Sequence, residues 1–212
     1  MIRITVNRRQ WIGSALFGAC TARGAQPAPA ALEIPVQVVV NKLAKWSQAE
    51  RDSFRSNVWN EAVQVLRKCG IVLRTVEHEG EIHKYPSGPP RIVGLGYKVL
   101  NIVLTDTIPM AWDNGRGVAG VATVYEGYHL TLISILASHG NRVPFLHVNT
   151  LVHELIHMFF EDFYLPREGR LSGQAHEHVI DWHATRMWLF SDDGAVKQSA
   201  FQYIRCLNRG CR

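Results

Sequence analysis

Residues 149–163 read NTLVHELIHMFFEDF, and the reading of this stretch decides the fold and the chemistry. Inside it, His153-Glu154-Leu155-Ile156-His157 makes an HExxH pattern. Leu151, Val152, Leu155, Ile156, Phe159, Phe160 and Phe163 recur with helical periodicity and cover one half of a helical wheel. Asn149 or Thr150 is placed to cap the start, and Pro166 lies just past the end. On a helix, residues four apart lie on one face, so His153 and His157 can point two imidazoles at one ion. Glu154 is rotated by about 100° from His153, within reach of a water on that ion. A catalytic zinc typically keeps three protein ligands and one open position, and it lowers the pKa of its water to about 7. A neighbouring carboxylate can take that proton and hand it on to a leaving amine.

A second helix is expected from about Ser172 to about Phe190, after the loop Leu165-Pro166-Arg167-Glu168-Gly169-Arg170. Glu177 and Asp181 are four apart on it and share a face with Ile180, Ala184, Met187 and Trp188. Two carboxylates among apolar residues are costly to bury without partners, and a metal ion with a ligand histidine would supply them. Asp181 is suited to accept the free ring N–H of a metal-bound histidine.

HExxH, a glutamate twenty residues after His157 and an aspartate four further on together resemble the gluzincin (thermolysin-type) metallopeptidases. The resemblance covers only His153 to Asp181. It implies that His153, His157 and Glu177 ligate zinc, that Glu154 is the general base, and that Asp181 supports a ligand from behind. An alternative with Asp181 itself on the metal stays open. His176, His178 and His183 crowd the same helix and read as packing or surface residues. The metzincin pattern fails, because Phe160 and Phe163 stand where it needs glycine and a third histidine. Zinc is the metal expected for two imidazoles and a carboxylate, although other divalent ions suit imidazole.

The N-terminus reads as an export signal over residues 1–25. Arg3, Arg8 and Arg9 precede the short apolar run Trp11 to Cys20, which is too short to span a bilayer. Asn7-Arg8-Arg9-Gln10-Trp11-Ile12 resembles a twin-arginine signal, with a general secretion signal as the alternative. Leu16 to Cys20 faintly resembles a lipoprotein box, which would anchor the chain through Cys20. The expected location is therefore outside the cytoplasm, periplasmic or secreted. Residues 26–33 read as a flexible lead-in and 34–212 as one domain. The formal charge is +5, but the signal holds four arginines and no acids. Without it, 19 basic residues face 18 acidic ones, so no basic patch argues for nucleic acid. No stretch of the mature chain reads as a membrane span. The cysteines are Cys20, Cys69, Cys206 and Cys211, and pairings among the last three stay open.

The remaining segments read as follows. Val36 to Val40 is a strand. Ser47-Gln48-Ala49-Glu50 is a capping box opening a helix with Phe54, Val58, Ala62, Val65, Leu66 and Cys69 inward, stopped at Gly70. Ile71 to Val76 is a strand, and His78 to Pro90 a surface loop. Val99 to Leu104 is a central strand, and Asp113 to Gly117 a turn. Gly117 to Tyr125 and His129 to Ile135 form a hairpin at Glu126-Gly127. Ala195 to Leu207 is a short helix.

This order resembles the zincin architecture and predicts an α+β fold. A twisted mixed sheet carries a backing helix, an active-site HExxH helix and a second helix supplying the third ligand. The resemblance implies that an edge strand, here Val118 to Val124, pairs with an extended peptide substrate. The expected function is an exported zinc metallopeptidase. The alternatives are a non-catalytic zinc-containing binding protein and a zinc amidase acting on a non-peptide or cell-wall amide.

Overall fold

A computed structural model of the chain describes residues 30–84, 90–109, 118–138, 149–160 and 174–209, with the side chains of 174–178 left aside. The stretch read as an export signal, Cys20, residues 113–117 and 165–170 read as a turn and a loop, Phe163 and Cys211 lie outside these residues. The chain is α+β, as the order of its segments predicts.

Six strands among the described residues make one mixed sheet: β1 (Leu32–Asn41), β2 (Ile71–His83), β3 (Arg91–Val93), β4 (Leu100–Thr105), β5 (Gly120–Tyr125) and β6 (Tyr128–Ser134). Their spatial order is β3-β2-β1-β4-β6-β5. β1 runs parallel to β2 and β4, and β4 parallel to β6, whereas β3 and β5 are antiparallel to their neighbours. β4 is buried along its whole length between β1 and β6, which explains its mostly apolar character, and its one amide, Asn101, is hydrogen-bonded to Gly96 and His129.

The first crossover is α1 (Gln48–Phe54), a π-helical stretch Arg55–Trp59, and α2 (Asn60–Lys68). Ser47 and Glu50 form the reciprocal capping box. Gly70 closes the helix in the left-handed region (φ 73), which an L side chain adopts only at a cost. After β6 come a helical turn α3 (Ile135–Ser138), then α4 (Thr150–Phe160), α5 (Gln174–Phe190) and α6 (Gly194–Arg209).

The period-2 alternation of the strands divides the interior in two. Ile34, Val36 and Val38 of β1, with Ile102, Leu104 and Ile133, face the helices. They pack against Phe54, Leu66, Leu151, Leu155, Phe159, Met187 and Tyr203 in the larger core. Val39, Val103, Leu130 and Leu132 face the opposite side, with Ile82 and Ile108, in a smaller core. Fully burying one such aliphatic side chain contributes about 1.5–3 kcal/mol, so the helix-side core dominates. Among the described residues no helix is long and apolar enough to cross a membrane.

Three local expectations change. Leu32 and Glu33, read as lead-in, are the first residues of β1 and lie opposite Ile71 and Val72. His78 to His83, read as loop, continues β2, because β1 pairs with it as far as Gly80 and β3 takes over at Glu81. Its polar residues tolerate the strand because Glu79 is exposed and the half-buried His78, Glu81 and His83 have partners in Gly94, Lys42 and each other, while Ile82 turns into the smaller core. Cys69 is buried and free, and burial pushes its thiol pKa up. Cys206 is disulfide-bonded, so neither pairing through Cys69 is formed.

Candidate metal centre

The helix carrying HExxH is α4, and its start is anchored by Asn149. The Asn149 side-chain oxygen accepts from the amides of Leu151 (2.9 Å) and Val152 (3.3 Å). Its side-chain nitrogen donates to the Val58 carbonyl (2.8 Å) and the Glu61 carboxylate (3.0 Å). One side chain thus caps α4, a contribution of about 1 kcal/mol, and ties it to the π-helical stretch and α2. Leu151, Val152, Leu155, Ile156, Met158 and Phe159 are buried, and the two histidines and Glu154 lie where this packed helix meets α5 and the sheet.

His153 and His157 turn their Nε2 atoms toward each other at 3.0 Å. The Nδ1 of His153 lies 2.9 Å from an Asp181 carboxylate oxygen on α5. That contact gives His153 an Nδ1–H donor and leaves its Nε2 facing His157. Two nitrogens on one tetrahedral zinc at about 2.0–2.1 Å stand about 3.4 Å apart, so the observed pair suits a shared ion after a shift of a few tenths of an ångström. Glu154 is 7% exposed, and its carboxylate lies against Gly120 at the start of β5.

Asp181 therefore lies directly behind His153, on the side of the ring away from His157. Glu177 lies on α5 one turn before Asp181, and its side chain falls outside those described. Among the described residues no three His, Cys, Asp or Glu side chains converge as a metal-holding group. Ile180, Ala184 and Met187 of the same helix are buried.

Tyr125, Tyr164, His183, Arg186 and Tyr203 are by residue type able to steady an oxyanion, and four of them are described. His183 is buried, 2.6 Å from Asp193 and stacked on Phe160 at 4.5 Å. Asp193 also caps α6 by accepting from Ala195 (3.1 Å) and Val196 (3.3 Å), so this pair joins α4, α5 and α6. Tyr203 is fully buried between Phe159 and His129. Tyr125 packs on the smaller core, on the face of the sheet away from α4. Arg186 lies over the Trp182 ring. Tyr164 is outside the described residues.

β5 is the outer strand beside this centre. Ser134 donates its amide to the Ala119 carbonyl (2.9 Å), and Gly120 sits opposite Ile133. That register makes Gly120–Ile133 a non-hydrogen-bonded pair. Gly120, Ala122 and Val124 therefore point their backbone N–H and C=O away from β6, toward an edge that is open among the described residues. At the other end, Glu126 (φ 51) and Gly127 (φ 82) form a two-residue turn with both residues left-handed, the turn that matches strand twist.

The contact between Gly120 and Glu154 was not legible in the motif. A glycine within the strand-like run GVATVY was the one signal for a close backbone approach. No protein-family model, no curated protein and no solved structure matches this chain.

Proposed function

We propose that this chain is an exported zinc metallopeptidase with a zincin-like arrangement of sheet and helices. The observation that carries the reading is the pair of histidines with facing Nε2 atoms, braced by Asp181 and set beside an outer strand. His153 and His157 would hold the ion, with Glu177 as the third donor that the gluzincin resemblance implies. When bound, zinc would supply Lewis acidity toward a carbonyl oxygen. Asp181 holds the Nδ1 proton of His153 and so keeps its other nitrogen available. Glu154 takes a proton from the attacking water and returns it to the departing amine. Gly120, Ala122 and Val124 offer outward backbone groups to an extended peptide, which would join the sheet as a further strand. An intact Glu154 favours this reading over a purely structural zinc site, which needs no base.

The test is a panel of peptides and cell-wall fragments assayed with wild type and Glu154→Gln. Peptide turnover should fall about 10³-fold in the variant, within the range for a lost general base, with metal content unchanged. Peptide turnover that survives Glu154→Gln contradicts the mechanism, and turnover of wall fragments alone would move the substrate class to non-peptide amides.

A further inference from the structure

Gly120 is the first residue of β5, and a glycine inside a strand needs a reason, since it weakens the strand by about 0.5–1 kcal/mol relative to alanine. The backbone does not provide one. Positive φ among the described glycines occurs at Gly70, Gly94 and Gly127, not at Gly120. The reason is space. A Cβ at this position would lie 2.6 Å from Glu154 Cγ, 2.8 Å from its Oε1 and 2.9 Å from its Cδ. All three atoms belong to one side chain, and that side chain is the general base of the proposed reaction.

The same position has a second property. The Gly120 backbone N–H and C=O face the open edge, as the pairing of Ile133 and the Ser134–Ala119 hydrogen bond require. One residue therefore touches the Glu154 carboxylate through its bare Cα and the substrate edge through its peptide groups. A methyl group there meets Glu154 first at Cγ, so the side chain must shift from Cγ outward and carry its carboxylate with it.

We propose that Gly120 is a positioning residue: its missing side chain seats the Glu154 carboxylate against β5 and sets its distance from a substrate lying along that edge. The catalytic consequence rests on the reading of Glu154 as the base, whereas the seat itself does not. In Gly120→Ala the fold and zinc content stay as in wild type, while kcat falls about 10²-fold, the scale of an ångström's misplacement. KM stays within about threefold, since the outward peptide groups are kept. In the Glu154→Gln background, adding Gly120→Ala changes the residual rate less than about twofold, because the two substitutions remove one function.

A crystal structure of metal-free Gly120→Ala gives the readout that needs no activity. The expected result is a Glu154 carboxylate moved by about 1 Å or more. An unmoved carboxylate, or an unchanged kcat in an active enzyme, overturns the inference. If wild type binds no zinc and cleaves nothing, the proposed function fails, and the position of the carboxylate still decides the seat. If Gly120→Ala does not fold, Gly120→Ala with Glu154→Ala is the deciding variant. Folding restored there supports the contact, and folding still lost shows that Glu154 is not what the methyl meets.

Discussion

Strands β2 and β5 both border the sheet, and their sequences treat that exposure in opposite ways. From Ile71 to Glu79, β2 pairs with β1 on one side and with no strand on the other among the described residues. Arg74, Glu77 and Glu79 are exposed along it. Arg74 pairs with Glu33 on the neighbouring strand, and its guanidinium holds the Glu33 carboxyl below the usual carboxylate range. Arg55 reaches Glu77 at 3.0 Å. Charges of this kind discourage a further strand from adding. β5 carries no charged residue from Gly120 to Tyr125 and is half-buried throughout. Among the described residues one edge is charged and the other carries neither a charge nor a further strand, and the uncharged one lies against the HExxH helix through the contact of Gly120 with Glu154. Under the proposed function, this difference is what an edge kept for an extended peptide requires.

The comparison breaks most sharply at Ala122. Its N–H faces the open edge and takes no part in the ladder to β6, so proline can be placed there with the ladder intact. Ala122→Pro should raise KM for an extended peptide about tenfold or more, the effect of losing one backbone hydrogen bond and stranding its partner. Steady-state kinetics on the folded variant decide it, and an unchanged KM would mean that substrate does not join the sheet at β5. A smaller effect is expected on the defended edge. Replacing Arg74 and Glu77 together by threonine should leave kcat and KM unchanged and shift the melting temperature by only about 2 °C, because exposed ion pairs contribute little. Sedimentation at rising concentration should reveal weak self-association once the charges are gone. Altered peptide kinetics in that variant would remove the distinction between the edges.

The sequence was informative where a local pattern and the tertiary context agree. The HExxH helix, the capping box at Ser47 and Glu50, the Gly70 stop, the Glu126-Gly127 turn and the mostly apolar β4 each follow from short-range rules that packing reinforces. Asp181 was legible for a similar reason, since a helix places position 181 one turn from 177 and on its buried side. The polar half of β2 was not, because its strand conformation comes from pairing with β1 across a long stretch of intervening chain. Nor were the His183–Asp193 bridge and the Gly120–Glu154 contact, each of which needs two elements docked before either residue has a meaning. His183 illustrates the limit well. Its residue type suits an oxyanion site, and its stacking on Phe160 makes it a brace between three helices instead.

The central claim is that the two facing histidines hold a zinc ion with a carboxylate from α5, and metal content tests it most directly. The purified mature chain, refolded with zinc supplied and dialysed, should carry about one zinc per chain by elemental analysis, as for a site with three protein ligands. Glu177→Ala, measured beside it, should lose that zinc or hold it much more weakly while keeping its fold. A folded wild-type chain that takes up no zinc would contradict the account. Zinc retained in a folded Glu177→Ala chain would keep the metal centre and pass the third ligand to another carboxylate, with Asp181 the first to examine.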